Sequence, residues 1–442
     1  MLKHLLYITG FFLLSFTILT AQKSLEMSLE ECIKYGLENN KGIKIAGDKV
    51  KSARLKKDEV NTSGLPSLSL QAGYTRLSEV DPFTITVPMG GTSQSFTVSP
   101  SLLNSYSTKL TLTQPVFTGF KIDLNKDLSD QSITASIFDL ESEKTKIKYA
   151  ISNAYWSLYK VTEGKKVLEE YIKTIELHLK DLNNFYAQGL ITKNEVLKLD
   201  VQLSSAQVQL LETENGIQMA KLNLLNNLNL PMDTDISLKP LTTMEEIQDV
   251  PSLEVINSQA LNTRPELKAM AVRIKSRETA IKLTESAWYP DIYLIGNYNY
   301  ARPNQRIIPT KDQFDGTWDV TLSLQYTLWN WNATSYRTQQ AESDLSQTNY
   351  QYEMMKDGVL IEVKQAYLNY AANKSRINLA EKTVTQAEEN YRISYNLFQK
   401  GLIRNSDLID AEVAVFESKI KLVTSISDLK NAEALLNKAI GI

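Results

Sequence analysis

The chain has 442 residues, 43% of them apolar and 22% charged, and its 48 Lys and Arg against 51 Asp and Glu leave a formal net charge of −3. That balance offers no basic surplus for a nucleic-acid backbone, and two histidines with one cysteine leave little for a His or Cys metal site, a thiol nucleophile or a histidine-based triad. The length predicts two or three ordinary domains, and a mean hydropathy of −0.25 excludes a helical transporter.

Lys3 precedes an apolar run from Leu5 to Leu19, and Thr20-Ala21 gives a small-residue end before Gln22. That is the layout of a secretory signal peptide over 1–21. A membrane anchor is the competing reading, but the run falls short of the ~20 residues a helical span needs. No later apolar stretch has that length, so an exported chain of this kind enters a membrane only as strands. Cys32, the lone thiol, sits on an amphipathic segment and reads as a small buried hydrophobe.

After this first helix, strands are predicted at 66–77 and 106–116. Leu68, Leu70, Ala72 and Tyr74 alternate with Ser67, Ser69, Gln71 and Thr75, and Leu110 and Leu112 alternate with Lys109, Thr111 and Thr113. Between them, Phe83, Ile85 and Val87, answered by Phe96 and Val98 across Pro88-Met89-Gly90-Gly91, predict a small hairpin. A long helix follows over 120–188, where Ile147, Ile151, Ala154, Leu158, Val161, Leu168, Ile172, Ile175, Leu179, Leu182 and Tyr186 step by three and four with one beat missed. The segment holds no proline and one glycine, Gly164, so a continuous helix would be about 100 Å long. A return helix is predicted over 194–228, and 231–251, rich in Pro, Thr and Asp, reads as a linker. The same series recurs as a helix, strands at 290–300 and 317–329, a long helix over 332–400 and a return helix over 405–440.

The recurrence is a duplication. Leu110-Thr111-Leu112 matches Leu322-Ser323-Leu324, Ala154-Tyr155 matches Ala366-Tyr367, and Gly189-Leu190-Ile191 matches Gly401-Leu402-Ile403, all at an offset of 212. Upstream, Leu65-Pro66 matches Tyr289-Pro290 at an offset of 224. The period is too long for a solenoid, so 22–230 and 252–442 are read as two copies of one unit, mixed α and β but mainly α.

A soluble half-buried sheet would give the same alternation in the strands. Export, strand lengths near the ~9 to 11 residues that cross a bilayer, and aromatics at the strand ends favour a membrane barrel. Phe117, Trp288, Tyr289, Tyr300, Trp318, Trp329 and Trp331 would form its interfacial girdles. Four strands cannot close, because open edges are not tolerated in lipid. The barrel must therefore be shared between subunits, and a conduit argues for three copies and twelve strands.

Gln114-Pro115-Val116-Phe117-Thr118-Gly119 leaving the second strand, the duplication at 212 and the paired Gly-Leu-Ile turns resemble the TolC-like outer membrane efflux proteins, over essentially all of the mature chain. The resemblance implies a homotrimer with a 12-stranded outer-membrane β-barrel, four strands per protomer, set in outer-membrane lipid. A long periplasmic α-helical coiled-coil barrel would continue it and end in a tip that meets a periplasmic adaptor protein coupled to an inner-membrane pump. Such a duct carries no active site, cofactor or metal. Thr327 departs from the pattern where the first copy has Pro115.

The turns between long helices then become the candidate adaptor-binding tip: Gly189, Leu190, Ile191 and Thr192, with Gly401, Leu402, Ile403 and Arg404. The glycines can end a helix in a left-handed conformation. Thr192 with Glu195 has capping-box spacing, and Ser406 or Asn405 would cap the last helix. For a gate near the tip, the candidates are Asp181, Glu388 and Glu389, with Tyr391 and Tyr395 as inter-helix hydrogen-bonding groups. Residues 390–400 carry no carboxylate, a departure from the acidic ring some family members place there. His178 reads as a seam or surface histidine. The competing function is an exported structural coiled coil with a soluble β-cap and no channel.

Overall fold

The computed structural model describes residues 25–99, 101–240 and 250–442; the signal segment at 1–21 and most of the linker's second half lie outside the described residues. In chain order the elements are β1 (Leu25–Met27), α1 (Leu29–Asn39), α2 (Lys41–Thr62), β2 (Ser67–Arg76), β3 (Phe83–Met89), β4 (Thr92–Ser99), β5 (Asn104–Thr118), α3 (Lys121–Ala187) and α4 (Lys193–Leu228). They continue with β6 (Ile236–Leu238), α5 (Leu253–Thr263), α6 (Pro265–Glu285), β7 (Asp291–Arg302), β8 (Asp315–Gln325), α7 (Ala333–Gln399) and α8 (Asn405–Ile440). The chain divides into two compact units: one of residues up to Ile43 with Lys144–Leu253 and Lys364–Lys438, the other of Lys44–Glu143, Glu254–Val363 and Ala439–Ile442.

The first unit is built on the long-helix seams. At one level Ile151, Ala154 and Leu158 of α3 pack with Leu224, Leu225 and Leu228 of α4, with Cys32 of α1 and with Ile236 of β6. Cys32 is fully enclosed, and burial, reinforced by the Glu31 charge, pushes its thiol up to about 12; it is a packing residue, not a thiolate. A capping box fixes the start of α1, with Ser28 Oγ accepting from the Glu31 N–H and Glu31 accepting from the Ser28 N–H. Asn40 ends that helix in an extended conformation and donates 2.8 Å to the carbonyl of Asn227. β1 and β6 pair in parallel, Leu25 with Ile236 through Met27 with Leu238, so the segment read as linker contains an ordered strand. At a second level α3, α4, α7 and α8 converge, with Leu168, Ile175 and Leu182 meeting Leu199, Ala206, Phe398 and Leu408. α3 and α8 are also joined by Ser427, whose hydroxyl donates 2.8 Å to the Trp156 carbonyl.

The second unit carries a four-stranded antiparallel sheet in the order β2-β5-β7-β8 and a separate β3-β4 hairpin. The predicted strand 106–116 extends to Thr118: β7 offers Ile292 and Asp291 as partners, and a bulge between Pro115 and Phe117 absorbs the residue that lacks an N–H. The predicted strand 317–329 stops at Gln325, because its neighbour β7 begins at the paired residue Asp291 and the preceding Pro290 cannot donate to a further rung. Where one helix was expected before the third strand there are two, α5 and α6. Arg264, held out of the helical region at φ −56° and ψ 120°, precedes a proline, which forces that break. Its guanidinium is buried and satisfied by Glu266, Glu362 and the Ala439 carbonyl.

Candidate functional site

The two tip turns share one backbone design. At the end of α3, Gly189 has φ +75°, its N–H bonds the Tyr186 carbonyl and the Leu190 N–H bonds the Phe185 carbonyl, both at 2.9 Å. At the end of α7, Gly401 has φ +72°, its N–H bonds the Phe398 carbonyl at 2.8 Å and the Leu402 N–H bonds the Leu397 carbonyl at 3.0 Å. Each is a Schellman closure, in which a left-handed glycine lets two carbonyls of the last turn be satisfied. Leu190 and Leu402 are left 66% and 67% exposed, while Ile191 and Ile403 turn back onto the four-helix core.

The predicted caps are not formed as read. Thr192 stands at the N-cap of α4 without a side-chain cap bond. Asn405 is the first residue of α8 and not its cap, and Asp407 accepts from the Arg404 N–H at 3.1 Å. Glu195, expected to complete a capping box, is engaged elsewhere. Lys198 reaches its carboxylate at 3.0 Å, and the buried amide of Asn405 donates to its Oε2 at 3.1 Å and to its main-chain carbonyl at 3.3 Å. The bonds from Lys198 and then Asn405 hold the Glu195 carboxyl below its ordinary value. Asn405 therefore ties one tip to the other.

Of the gate candidates, the structure brings together Asp181 and Tyr395, whose hydroxyl donates to Asp181 Oδ2 at 3.4 Å, with the Tyr391 ring 6.1 Å from that of Tyr395. Burial, followed by the Glu412 charge, pushes the Tyr391 phenol up to about 12. Glu388 lies apart, 3.1 Å from Lys419 of α8, which also reaches Glu170 of α3. Partial burial alone would lower Lys419, but these carboxylates outweigh it and raise the ammonium above its ordinary value. Glu389 is on an exposed face, in a forked pair with Arg392 that lowers its carboxyl. Sequence reasoning missed Glu412, which faces His178 in the interior with Nδ1 3.0 Å from Oε1.

The sheet of the second unit has two unlike faces. One carries rows such as Leu70, Leu110, Tyr298 and Trp318, or Leu68, Leu112, Gly296 and Val320; the other carries Ser69, Thr111, Asn297 and Asp319. Across the polar row Thr111 donates to Asn297 at 3.0 Å and Asn297 to Asp319 at 2.8 Å. The apolar face lies open, Trp318 being 72% exposed. Aromatics gather at both strand ends. Phe117, Phe120 and Tyr289 meet edge-to-face with centroids 5.3, 5.5 and 6.5 Å apart, and Tyr300 stacks on Phe314 at 5.2 Å. Trp288 is exposed at the first of these ends. Trp329, expected as the last residue of a strand, lies with Trp331 in the connection to α7, the two edge-to-face at 5.7 Å. Ile292 and Tyr300 lie about 27 Å apart along β7 at strand rise. Among the described residues no helix is long and apolar enough to cross a membrane.

The model of the family described as outer membrane efflux protein matches residues 33–230 and 256–442. The chain belongs to that family. It is 23% identical over 283 residues to the toxin and drug export protein A of Aggregatibacter actinomycetemcomitans, 63% of this chain but only 60% of that relative's length. It is 20% identical over 344 residues to the alkaline protease secretion protein AprF of Pseudomonas aeruginosa, 77% of this chain and 70% of the relative. Among solved structures the fold is similar to the CmeC outer membrane channel of Campylobacter jejuni (TM-score 0.77, 16% identity, 93% of this chain and 85% of that one). It is also similar to the outer membrane protein VceC of Vibrio cholerae (TM-score 0.74, 19% identity, 93% and 96%). The mainly helical fold is thus that of the outer-membrane efflux channels.

Proposed function

We propose that the protein is the outer-membrane exit duct of a tripartite efflux or type I secretion system. In this reading it is a passive homotrimer built from two copies of one structural unit per protomer, and an inner-membrane pump supplies the energy. The observation that carries the reading is the open four-stranded sheet with an exposed apolar face, a hydrogen-bonded polar face and aromatics at both strand ends. In water an apolar face of this size is a liability, whereas three such sheets joined edge to edge give twelve strands with lipid outside and a polar lumen within. Residues 1–21 act as the export signal.

The helices support the same assembly. Leu197, Val201, Val208, Leu211, Met219 and Leu222 of α4 are all exposed and fall within an arc of about 80° at 100° per residue. Leu368, Leu379 and Ile393 of α7 are likewise exposed, within about 40°. Stripes of this kind suit neighbouring subunits of a helical tunnel through the periplasm. At its closed end the Tyr395–Asp181 bond and the Lys419 pairs hold α7 and α8 to α3. Gly189 to Thr192 and Gly401 to Arg404 form the surface for the periplasmic adaptor, offering Leu190 and Leu402 as apolar contacts.

The decisive test is membrane fractionation followed by single-channel recording in planar bilayers. A detergent-dependent protein with discrete conductance steps is expected; release without detergent and no conductance would refute the duct and favour a structural coiled coil. For the tip, cysteine at Leu190 or Leu402 should cross-link to the adaptor in cells. Failure at both positions with export intact would remove that assignment.

A further inference from the structure

The duplication holds rung by rung inside the sheet. β2 and β7 correspond at the offset of 224 that relates Leu65-Pro66 to Tyr289-Pro290, and β5 and β8 correspond at 212. Leu70 pairs with Leu110; displaced by those offsets they become Leu294 and Leu322, which also pair. The end pair Ser67 and Thr113 becomes Asp291 and Gln325, again a pair. The repeat therefore preserves register to the residue. One further contact, β5 with β7, has as its equivalent a contact of β8 with β2. Among the described residues that contact is absent within the protomer, where β2 and β8 are the two outer strands of the sheet. A second copy can supply it.

Carrying the β5-to-β7 register across names the residues that meet. Lys109 with Asn299 becomes Thr321 with Thr75, Leu110 with Tyr298 becomes Leu322 with Tyr74, Leu112 with Gly296 becomes Leu324 with Ala72, and Gln114 with Leu294 becomes Tyr326 with Leu70. The displacement takes no account of chemistry, yet apolar residues meet apolar ones and Thr75 meets Thr321. A slip of one residue would set Leu322 against Thr75 or Gly73 and mix the two faces. A slip of two would set Leu328 against Pro66 or Leu68 against Asn330. Without a slip the ladder continues to Leu328 with Leu68 and ends at Trp329 with Ser67, the first residue of β2, which follows a proline that has no N–H to offer. Leu328 is 85% exposed, and β7 supplies no rung beyond Asp291, so the alternation that runs on to Leu328 finds its partner in the second copy. Thr327 fits the same ladder. The equivalent Pro115 brings a bulge before Phe117 in β5, whereas Thr327 keeps its N–H and lets the strand run straight to its end.

We propose that the outer edge of β8 receives β2 of a second copy of this chain, antiparallel, with Tyr74 opposite Leu322 and Leu68 opposite Leu328. The occupant is the chain itself because each copy already makes the equivalent contact between β5 and β7. The facing stretches 67–75 and 321–329 hold no charged residue, so no like charges oppose each other across the seam. The proposal rests on the duct reading above, and it adds the rungs at which neighbouring sheets of that duct join.

Disulfide formation between paired cysteines in the full-length protein in detergent reads the register. Opposed strand residues have Cβ atoms about 4.5 to 5.5 Å apart and diagonal ones about 7 to 8 Å, and a disulfide needs about 3.5 to 4.5 Å. Successive rungs alternate between close and wide pairs, so both Tyr74→Cys with Leu322→Cys and Thr75→Cys with Thr321→Cys are made. The slipped controls combine Tyr74→Cys with Val320→Cys or Leu324→Cys, and Thr75→Cys with Asp319→Cys or Ser323→Cys. Cys32 is fully enclosed and does not compete. On oxidation at least one in-register protein should give covalent dimers and trimers, in a yield at least about fivefold above every slipped control. Thr327→Pro, which has no rung to break in the protomer's own sheet, should leave the protomer's circular dichroism unchanged and lower the temperature at which the trimer dissociates. A detergent-stable trimer that bonds best at a slipped pair, or at no pair, overturns the register and leaves the duct standing. A Thr327→Pro trimer as heat-stable as the wild type overturns the ladder beyond Tyr326. Bonded species that are not multiples of the protomer would put another protein on that edge and overturn the second copy as its occupant. A protein that is monomeric in detergent and gives no conductance overturns the duct and the seam together.

Discussion

Gly119 and Gly189 both occupy left-handed backbone, at φ +58° and +75°, yet replacing each by alanine should have very different consequences. At Gly189 a Cβ would meet nothing within 4 Å, so Gly189→Ala costs only the left-handed conformation, about 1 to 2 kcal/mol. At Gly119 the Cβ would lie 2.7 Å from the Ser286 carbonyl oxygen and 2.9 Å from Tyr289 Cβ, atoms that no rotamer change can move. Overpacking of that kind adds about 1 to 3 kcal/mol, giving about 2 to 5 kcal/mol in all for Gly119→Ala. Native-state hydrogen exchange reads these as local losses of protection. At 1.36 kcal/mol per factor of ten, amides of 186–196 should lose roughly 5- to 30-fold in Gly189→Ala, and those of 117–126 roughly 30-fold to several thousand-fold in Gly119→Ala. Asparagine separates the two causes, since it tolerates left-handed backbone but keeps the Cβ. Gly189→Asn should restore most of the protection and Gly119→Asn should not. Equal rescue at both sites would refute the steric account of the strand-to-helix junction.

On the exposed stripe of α4, Val208→Asp should leave the protomer's circular dichroism unchanged and drive the protein to monomers in light scattering; trimers of undiminished stability would count against that face as an interface. Gly36 sits so close to Ile151 that an added Cβ would lie 2.2 Å from its Cδ1, a flexible side-chain end. Gly36→Ala should therefore cost about 1 to 3 kcal/mol in urea unfolding, and Gly36→Ala with Ile151→Val less than that single change. Asn405→Ala should let the Glu195 carboxyl return towards its ordinary value and loosen both tips. Because that carboxyl is held low in the folded protein, its contribution is present above the unfolded value of about 4.3 and is lost as pH falls through the folded one; tip protection from pepsin should fall in that window in the wild type and be weak throughout in Asn405→Ala. Tyr395→Phe removes one long hydrogen bond, about 0.5 to 1.5 kcal/mol, and should raise channel open probability by up to about tenfold at that energy.

The sequence patterns carried furthest where a single period governs a long stretch. The alternation at 318–324 lies on β8 with the parity read from it, and the three-and-four stepping along 147–182 identifies Ile151, Ala154, Leu158, Leu168, Ile175 and Leu182 as buried. Strand ends were less legible, because a strand stops where its partner stops: apolar alternation continues to Leu328, but β7 supplies no rung beyond Asp291. β1 and β6, three residues each, are too short for a period to appear. The caps depend on side-chain torsions that spacing cannot report, so Thr192 stands at its N-cap without a side-chain bond and Asn405 binds Glu195 instead. Of the two readings of His178, seam or surface, the structure selects the seam: it lies three residues after Ile175 and four before Leu182, on the same stripe. Glu412 lies four after Leu408, and reading polar residues into the seam would have found it.

The duplication makes the case for additional copies of the chain without reference to the sheet. Displacing α3 and α8 by the repeat offset of 212 carries α3 onto α7 and α8 back onto α4. In the first unit α3 and α8 are packed together: the Trp156 carbonyl accepts from Ser427, and His178 faces Glu412 in the interior. The corresponding positions on α7 and α4 are Leu368 with Asn215, and Asn390 with Asp200, and all four side chains are exposed. One of two equivalent helix contacts is thus satisfied within the protomer, and the other is left open with its apolar stripes turned outward. In the homotrimer proposed above, the next subunit would supply the missing α7-to-α4 contact. A closed ring would supply it at every junction. A buried polar pair occurs at the internal contact and not at the open one, where Asn390 carries no charge.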